Sequence, residues 1–176
     1  MNSKRVLVAF SSRSGSTAGA ATEIAAVLSA AGLVVDCRPK EEVTDVTPYR
    51  AVVMGSGVFV ARSASDGGGF IERHRAALQG RDVWLYSIGP LGGRPGRGGP
   101  ADEAAVVTVA RSIGARGVTT FGTLGMSAES DPVVALVPAD RREIDAWALD
   151  IASALGVGST PQAALRHRCH GMPAAH

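Results

Sequence analysis

Residues 6–17 read Val6-Leu-Val-Ala-Phe10-Ser-Ser-Arg-Ser-Gly-Ser-Thr17, an apolar run followed at once by hydroxyl side chains, one arginine and one glycine. An alanine-rich segment with helical spacing comes next, so the pattern predicts a buried strand, a loop and a helix. Such a loop presents backbone N–H and hydroxyl donors to an anion, and the helix dipole adds positive potential. The segment therefore predicts a phosphate-binding loop. A serine-rich turn with Thr17 as an ordinary N-cap is the alternative.

Apolar runs alternate with helical patterns along the rest of the chain, which predicts an α/β fold with a doubly wound parallel sheet in three layers. The predicted strands cover residues 5–10, 33–38, 51–55, 83–88 and 118–124, and the predicted helices cover residues 17–31, 70–78, 102–113 and about 140–155. With the strand order 2-1-3-4-5, the loops after strands one, three and four converge at the carboxyl edge of the sheet, where such folds bind ligands. We expect one domain over residues 1–156 and a flexible tail over residues 157–176.

Composition narrows the class of protein. The chain has 176 residues, 45% of them hydrophobic, and a formal net charge of +2. This balance supports a single well-packed core and gives no electrostatic footprint for nucleic acid. We find no apolar run long enough for a membrane span and no signal-peptide pattern, and we expect a cytoplasmic protein. Cys37 and Cys169 lie far apart in sequence and predict neither a disulfide framework nor a zinc site.

The first loop also excludes two common nucleotide motifs. It lacks the Gly-Lys-Ser/Thr ending of a triphosphate-binding loop, and it lacks the G-x-G-x-x-G pattern of dinucleotide-binding folds. The phosphate of a mononucleotide is therefore the favoured ligand.

Several segments carry a family resemblance. Ser12-Arg-Ser-Gly-Ser-Thr17 resembles the phosphate loop of flavodoxins, and the wider run from Phe10 is closer to the flavodoxin-like protoporphyrinogen oxidases and their actinobacterial relatives. Val52-Val-Met-Gly-Ser-Gly-Val-Phe59 and Gly80-Arg-Asp-Val-Trp-Leu-Tyr-Ser87, followed by Gly89-Pro-Leu91, are similar to the same proteins. The resemblance covers about residues 5–155. It implies a flavodoxin-like fold and FMN as the cofactor.

The resemblance also implies which residues contact FMN. By position, the residues around its phosphate would be Ser12, Arg13, Ser14, Gly15, Ser16 and Thr17. Those flanking one face of the flavin ring would be Ser56, Gly57, Val58 and Phe59. Those flanking the other face and the pyrimidine edge would be Ser87, Ile88, Gly89, Pro90, Leu91 and Gly92.

The activity implied by the resemblance is an FMN-dependent oxidoreductase acting on a quinone-like or aromatic polycyclic compound, as a protoporphyrinogen oxidase does. Two alternatives stay open: a flavodoxin-type electron carrier that docks to a redox partner protein, and a flavodoxin-like domain that has lost FMN and acts in binding or in cofactor-free catalysis. The glycine-rich loop after strand three and the short loop after strand five depart from the relatives and leave the substrate undecided. A homodimer is also left open.

Other conspicuous side chains receive no catalytic role. His74 falls on the apolar side of a predicted helix and is assigned to the core or to an interface. Arg94 and Arg97 lie in a glycine-rich loop, where they would either attract an acidic substrate or remain solvated. The His167-Arg-Cys-His170 cluster lies in the tail with no further ligand nearby, so no metal site is predicted. No general acid or base is assigned.

Overall fold

The strands agree closely with those expected from the apolar runs. The structure, a computed structural model, describes residues 4–11, 15–55, 69–90, 100–123 and 138–157. The strands are β1 (Arg5–Phe10), β2 (Val34–Pro39), β3 (Ala51–Gly55), β4 (Asp82–Pro90) and β5 (Gly117–Thr123). Only β4 differs notably, because it continues two residues beyond the predicted end. The predicted tail, residues 157–176, lies outside the described residues apart from Val157, so the domain boundary stays a prediction.

The helices follow the predicted alternation. Those of the described residues are α1 (Gly15–Ala30), α2 (Phe70–Gln79), α3 (Pro100–Ile113) and α4 (Pro138–Ala154), with one short 3-10 turn at Lys40–Glu42. Gly32 ends the turn after α1 with a φ of 94°, a left-handed conformation that glycine adopts without a Cβ clash. A glycine in this conformation commonly follows the last turn of a helix.

The five strands form one parallel sheet in the order β2-β1-β3-β4-β5, which confirms the predicted topology. The register aligns Val8 of β1 with Cys37 of β2 on one side and with Val53 of β3 on the other. Because every pair is parallel, the carboxyl ends of all five strands lie at the same edge of the sheet.

Two apolar cores cover the two faces of the sheet. Alternate residues of β1 point to opposite sides, so Val6, Val8 and Phe10 join one core while Leu7 and Ala9 join the other. Helices α1 and α4 close the first core, and α2 and α3 close the second. Each fully buried leucine or isoleucine in these cores contributes about 1.5–3 kcal/mol to folding. The fold is therefore the predicted three-layer arrangement.

Ion pairs join neighbouring strands at the amino edge of the sheet. Asp82, the first residue of β4, contacts Arg116 at 2.6 Å and Arg50 at 3.9 Å. Arg50 also donates to the carbonyl oxygen of Leu155 just after α4, at 2.9 Å. Arg5 on β1 contacts Asp36 on β2 at 3.0 Å, so these contacts extend across most of the edge.

Cys37 corrects one expectation. Its side chain is buried in the first core, and its sulfur is disulfide-bonded. The sequence analysis predicted no disulfide because the two cysteines are far apart along the chain. That reasoning was wrong, because loop-closure entropy rises only slowly with the number of residues enclosed, so a long separation does not exclude a bond.

Candidate functional site at the carboxyl edge of the sheet

The amino end of α1 lies at the carboxyl edge of the sheet. β1 ends at Phe10, Ser11 follows with its side chain buried, and α1 begins at Gly15. Ser12, Arg13 and Ser14 lie outside the described residues. Gly15 and Ser16 form the first backbone positions of α1. The first backbone N–H groups of a helix have no acceptor within the helix, so they are available to an anion.

The first turn of α1 carries no acidic residue, so nothing in it opposes an anion. Its third residue, Thr17, is only 2% exposed. The amino end of a helix of 16 residues, here preceded by a buried strand, has positive potential. The described part of this segment is therefore compatible with an anion, and the phosphate site stays a prediction.

Thr17 is in contact with both β3 and β4. Gly55, the last residue of β3, is the register partner of Tyr86 on β4. A Cβ placed on Gly55 would lie 2.5 Å from Cγ2 of Thr17 and 2.8 Å from the hydroxyl of Tyr86, so the absent side chain makes this approach possible. The Tyr86 hydroxyl donates a hydrogen bond of 3.0 Å to the backbone oxygen of Thr17.

These contacts bring one end of each of the three predicted site segments together. Thr17 ends the first loop segment, Gly55 immediately precedes the second at Ser56, and Tyr86 immediately precedes Ser87 of the third. This confirms that strands one, three and four bring their carboxyl ends together. Sequence analysis missed Gly55 and Tyr86 themselves, although a glycine that ends a buried strand is a signal for close backbone approach.

An aromatic cluster surrounds Tyr86. Its ring centroid lies 6.2 Å from that of Phe121 on β5 and 6.2 Å from that of Trp147 on α4, and the Phe121 and Trp147 rings meet edge to face at 5.6 Å. Complete burial raises the pKa of Tyr86, so its hydroxyl stays a neutral donor. Trp147 therefore packs the last helix against β4 and β5.

The third predicted segment begins within β4. Ser87 and Ile88 are half-buried, and the Ser87 hydroxyl lies 2.8 Å from that of Thr120 on β5. Gly89 and Pro90, predicted as loop, belong to β4 because their ladder with Gly122 and Thr123 of β5 continues that far. A proline at the last position of a strand removes only one terminal N–H, so Gly-Pro does not end the pairing earlier.

The remaining predicted site residues lie outside the described ranges. They are Ser56, Gly57, Val58, Phe59, Leu91 and Gly92, together with Arg94 and Arg97. His74 lies away from this edge, on α2, where its ring meets that of Phe70 at 4.6 Å. That position agrees with a packing role.

The amino-acid sequence matches the model of a known protein family. The model of a family described as the flavodoxin domain matches residues 7–108, more than half of the chain. The chain belongs to the flavodoxin domain family.

Solved structures share the flavodoxin fold at low sequence identity. A flavodoxin from the domain Archaea matches with a TM-score of 0.60 and 15% identity, covering 86% of this chain and 99% of that one. A flavodoxin-like domain from Synechococcus sp. gives 0.56 and 18%, covering 86% and 98%, and a Streptococcus pneumoniae TIGR4 flavodoxin gives 0.54 and 17%, covering 85% and 99%. A comparison with curated proteins finds no match.

Membership of the flavodoxin domain family indicates FMN as the cofactor of this chain. The described residues fit its phosphate: the first turn of α1 is a helix start without a carboxylate, and the missing side chain of Gly55 keeps Thr17 close to β3 and β4. The closer relationship to protoporphyrinogen oxidases is not part of this finding.

Within the described ranges, no group of three or more His, Cys, Asp or Glu side chains is arranged as metal ligands would be. Among the same residues, no helix has both the length and the apolar character needed to cross a membrane.

Proposed function

We propose that this flavodoxin domain is an FMN-dependent oxidoreductase acting on a quinone-like or aromatic polycyclic substrate, as flavodoxin-like protoporphyrinogen oxidases do. The observation that supports its FMN site most directly is the acid-free amino end of α1, held beside Gly55 and Tyr86 at the carboxyl edge of the sheet. FMN, when bound, supplies the redox chemistry, and the protein binds and orients it.

We assign the phosphate to Ser12, Arg13, Ser14, Gly15, Ser16 and Thr17. We assign the two sides of the flavin ring to Ser56, Gly57, Val58 and Phe59 and to Ser87, Ile88, Gly89, Pro90, Leu91 and Gly92. The convergence of Thr17, Gly55 and Tyr86 supports this assignment, because the first segment ends at that point and the other two begin next to it. We also propose that residues 1–156 form the FMN-binding domain.

The charge of the chain favours an enzyme over an electron carrier. Carrier flavodoxins are as a class strongly acidic, and that charge steers them to basic partner surfaces. This chain has a net charge of +2, and its first helix has no acid at the end nearest the site. The carrier remains the second candidate, because family membership leaves electron transfer to a redox partner protein open.

The first test is FMN binding. Titration of FMN into the purified apoprotein is expected to quench flavin fluorescence and to raise the melting temperature. Thr17→Val keeps the branched shape and removes the hydroxyl, so we expect about tenfold weaker FMN binding, equivalent to about 1.4 kcal/mol. Thr17→Ser, which keeps the hydroxyl, is the matched control and should bind more tightly than Thr17→Val.

The second test separates enzyme from carrier. The reduced holoprotein is mixed with a small quinone or with an oxidised haem protein. Saturable turnover of the quinone supports the enzyme, and electron transfer to the haem protein alone supports the carrier. If FMN produces neither quenching nor stabilisation in the wild-type chain, both functions fail and the domain has another role.

A further inference from the structure

We propose that Tyr86 is a positioning residue that fixes the first turn of α1 in the orientation that binds the FMN phosphate. This inference rests on the proposed function, because it takes the amino end of α1 as the phosphate site. Tyr86 lies on β4, two strands away from β1, and its ring is completely buried. Its hydroxyl reaches across β3 to the backbone oxygen of Thr17 at 3.0 Å.

The hydrogen bond from Tyr86 joins the sheet to the backbone carbonyl of Thr17, which also accepts a hydrogen bond within α1. A carbonyl in the first turn of an α-helix accepts the N–H four residues later, and its second lone pair is free for another donor. A tyrosine hydroxyl buried without an acceptor is destabilising, so this bond both satisfies Tyr86 and ties the turn to β4. The backbone of α1 is thereby anchored to β4 within its first turn.

The contacts around Gly55 restrict the first turn of α1 to one orientation relative to β3 and β4. A Cβ on Gly55 would approach both Thr17 and Tyr86 closer than 3.0 Å, so the two side chains meet over a backbone that has no side chain of its own. Rotation of the first turn away from β3 would break the Tyr86 bond. Rotation toward β3 would bring Thr17 against the Gly55 backbone.

The aromatic cluster holds the Tyr86 ring in the position from which its hydroxyl reaches the backbone oxygen of Thr17. Phe121 and Trp147 approach the ring from β5 and α4 at tilted and edge-on angles, which aromatic side chains prefer. Burial keeps the hydroxyl neutral, so it donates without a charge change over the physiological range. Donors held in place before ligand binding raise affinity because less ordering remains to be done.

Tyr86→Phe tests the inference, because it removes the hydroxyl and keeps the ring. We expect FMN to bind about three to ten times more weakly, whereas riboflavin, which lacks the phosphate, should bind with unchanged affinity. Tyr49→Phe is the matched control: it also removes a tyrosine hydroxyl that donates a hydrogen bond, of 2.8 Å, to Asp36 on β2. That variant should leave the affinity for FMN unchanged.

A second measurement needs no flavin. In the apoprotein, the amides of residues 19–22 bond to the carbonyls of the first turn of α1, so Tyr86→Phe should speed their hydrogen exchange about fivefold, and Tyr49→Phe should not. Equal losses for FMN and riboflavin, or unchanged FMN affinity and unchanged exchange, would overturn the inference. A wild-type chain that binds no FMN would overturn the proposed function, while the exchange data would still decide whether Tyr86 holds the turn.

Discussion

Gly55 shows how one missing side chain sets the geometry of the carboxyl edge. An added Cβ would meet Cγ2 of Thr17 at 2.5 Å and the hydroxyl of Tyr86 at 2.8 Å, and neither neighbour is a flexible chain end. Both residues are buried, so they have no space into which to withdraw. Glycine at this position is therefore required by packing and not by backbone conformation.

We predict that Gly55→Ala lowers the free energy of unfolding by about 1–3 kcal/mol, the usual loss when a tightly packed position is overfilled. It should also weaken FMN binding, because Thr17 must move. Urea denaturation and flavin titration measure the two effects.

Gly80→Ala is the control for this prediction. Its added Cβ would have Ala77 O at 3.9 Å as its nearest neighbour, and its φ of −92° suits any residue. We expect a change smaller than about 1 kcal/mol, with a stabilising sign from the reduced freedom of the unfolded chain. Equal losses in the two variants would contradict the packing argument.

Contacts between residues that are close in sequence could be predicted, and contacts between residues that are far apart in sequence could not. Thr17 was found from its own neighbours, because a strand, a hydroxyl-rich loop and a helix are local features. Tyr86 and Thr17 are 69 residues apart in sequence, and their contact depends on how α1 lies over three strands. No local pattern encodes that placement, so the contact could be found only from the fold.

Among the elements, α2 carries a titratable side chain at a packed surface. His74 is half-buried, its ring meets Phe70, and it faces Asp45 and the Val43 backbone from the connection before β3. Burial, and then the nearby charge of Arg73, lower the pKa of His74, while Asp45 and Val43 oppose this. The folded chain thus binds a proton at His74 less readily than the unfolded chain.

This lowered pKa predicts that acid destabilises the domain in part through His74. As the pH falls below the unfolded value of about 6.5, protonation favours the unfolded chain, so stability present at higher pH is lost. We expect the free energy of unfolding of His74→Gln to fall less steeply than that of the wild type between about pH 7 and pH 5. The other three histidines are common to both proteins, so the difference isolates His74. Parallel slopes in urea denaturation would contradict this.

Element boundaries were the least predictable part of the fold. Gly89 and Pro90 resembled the start of a loop, yet they pair with Gly122 and Thr123. Whether a strand continues depends on the length of its neighbour, which is a property of the sheet. By contrast, β3 was predicted at its observed ends, because Gly55 and the polar residues before Ala51 interrupt the apolar run on both sides.

For the whole molecule, the ionisation of the two tyrosines, followed by ultraviolet absorbance, reports whether the chain is folded. The chain contains two tyrosines, and both have a raised pKa: Tyr49 through burial and then its hydrogen bond to Asp36, and Tyr86 through burial. The folded chain keeps these protons when the unfolded chain loses them near pH 10, so stability falls as the pH rises above about 10.

We therefore predict little tyrosinate absorbance from the folded protein at about pH 10, and its appearance together with alkaline unfolding. The guanidinium-unfolded chain, which should titrate near the ordinary tyrosine pKa, is the control. Circular dichroism recorded on the same samples reports unfolding. A tyrosinate signal with an ordinary midpoint in a chain that is still folded would contradict the burial of both hydroxyls.

The topology of the molecule was predictable because a physical rule connects it to the chain. Apolar runs separated by helices must form parallel pairs through crossovers, and this leaves few arrangements. The disulfide at Cys37 was not predictable, because neither cysteine has neighbours that indicate a bond. Side-chain pairings across the fold carry no periodic signal.

The contacts at the amino edge have a consequence for how this domain can change. The ion pairs of Asp82 and Arg5 lie at the amino ends of β4 and β1, and the two ends of a six-residue strand such as β1 are about 17 Å apart. Substitutions separated by more than about 10 Å act on stability nearly independently. Segments beyond the packed contacts of Thr17, Gly55 and Tyr86 can thus be exchanged with those of other flavodoxin domains while the opposite end keeps the strands aligned, so changes in ligand preference there should cost little fold stability.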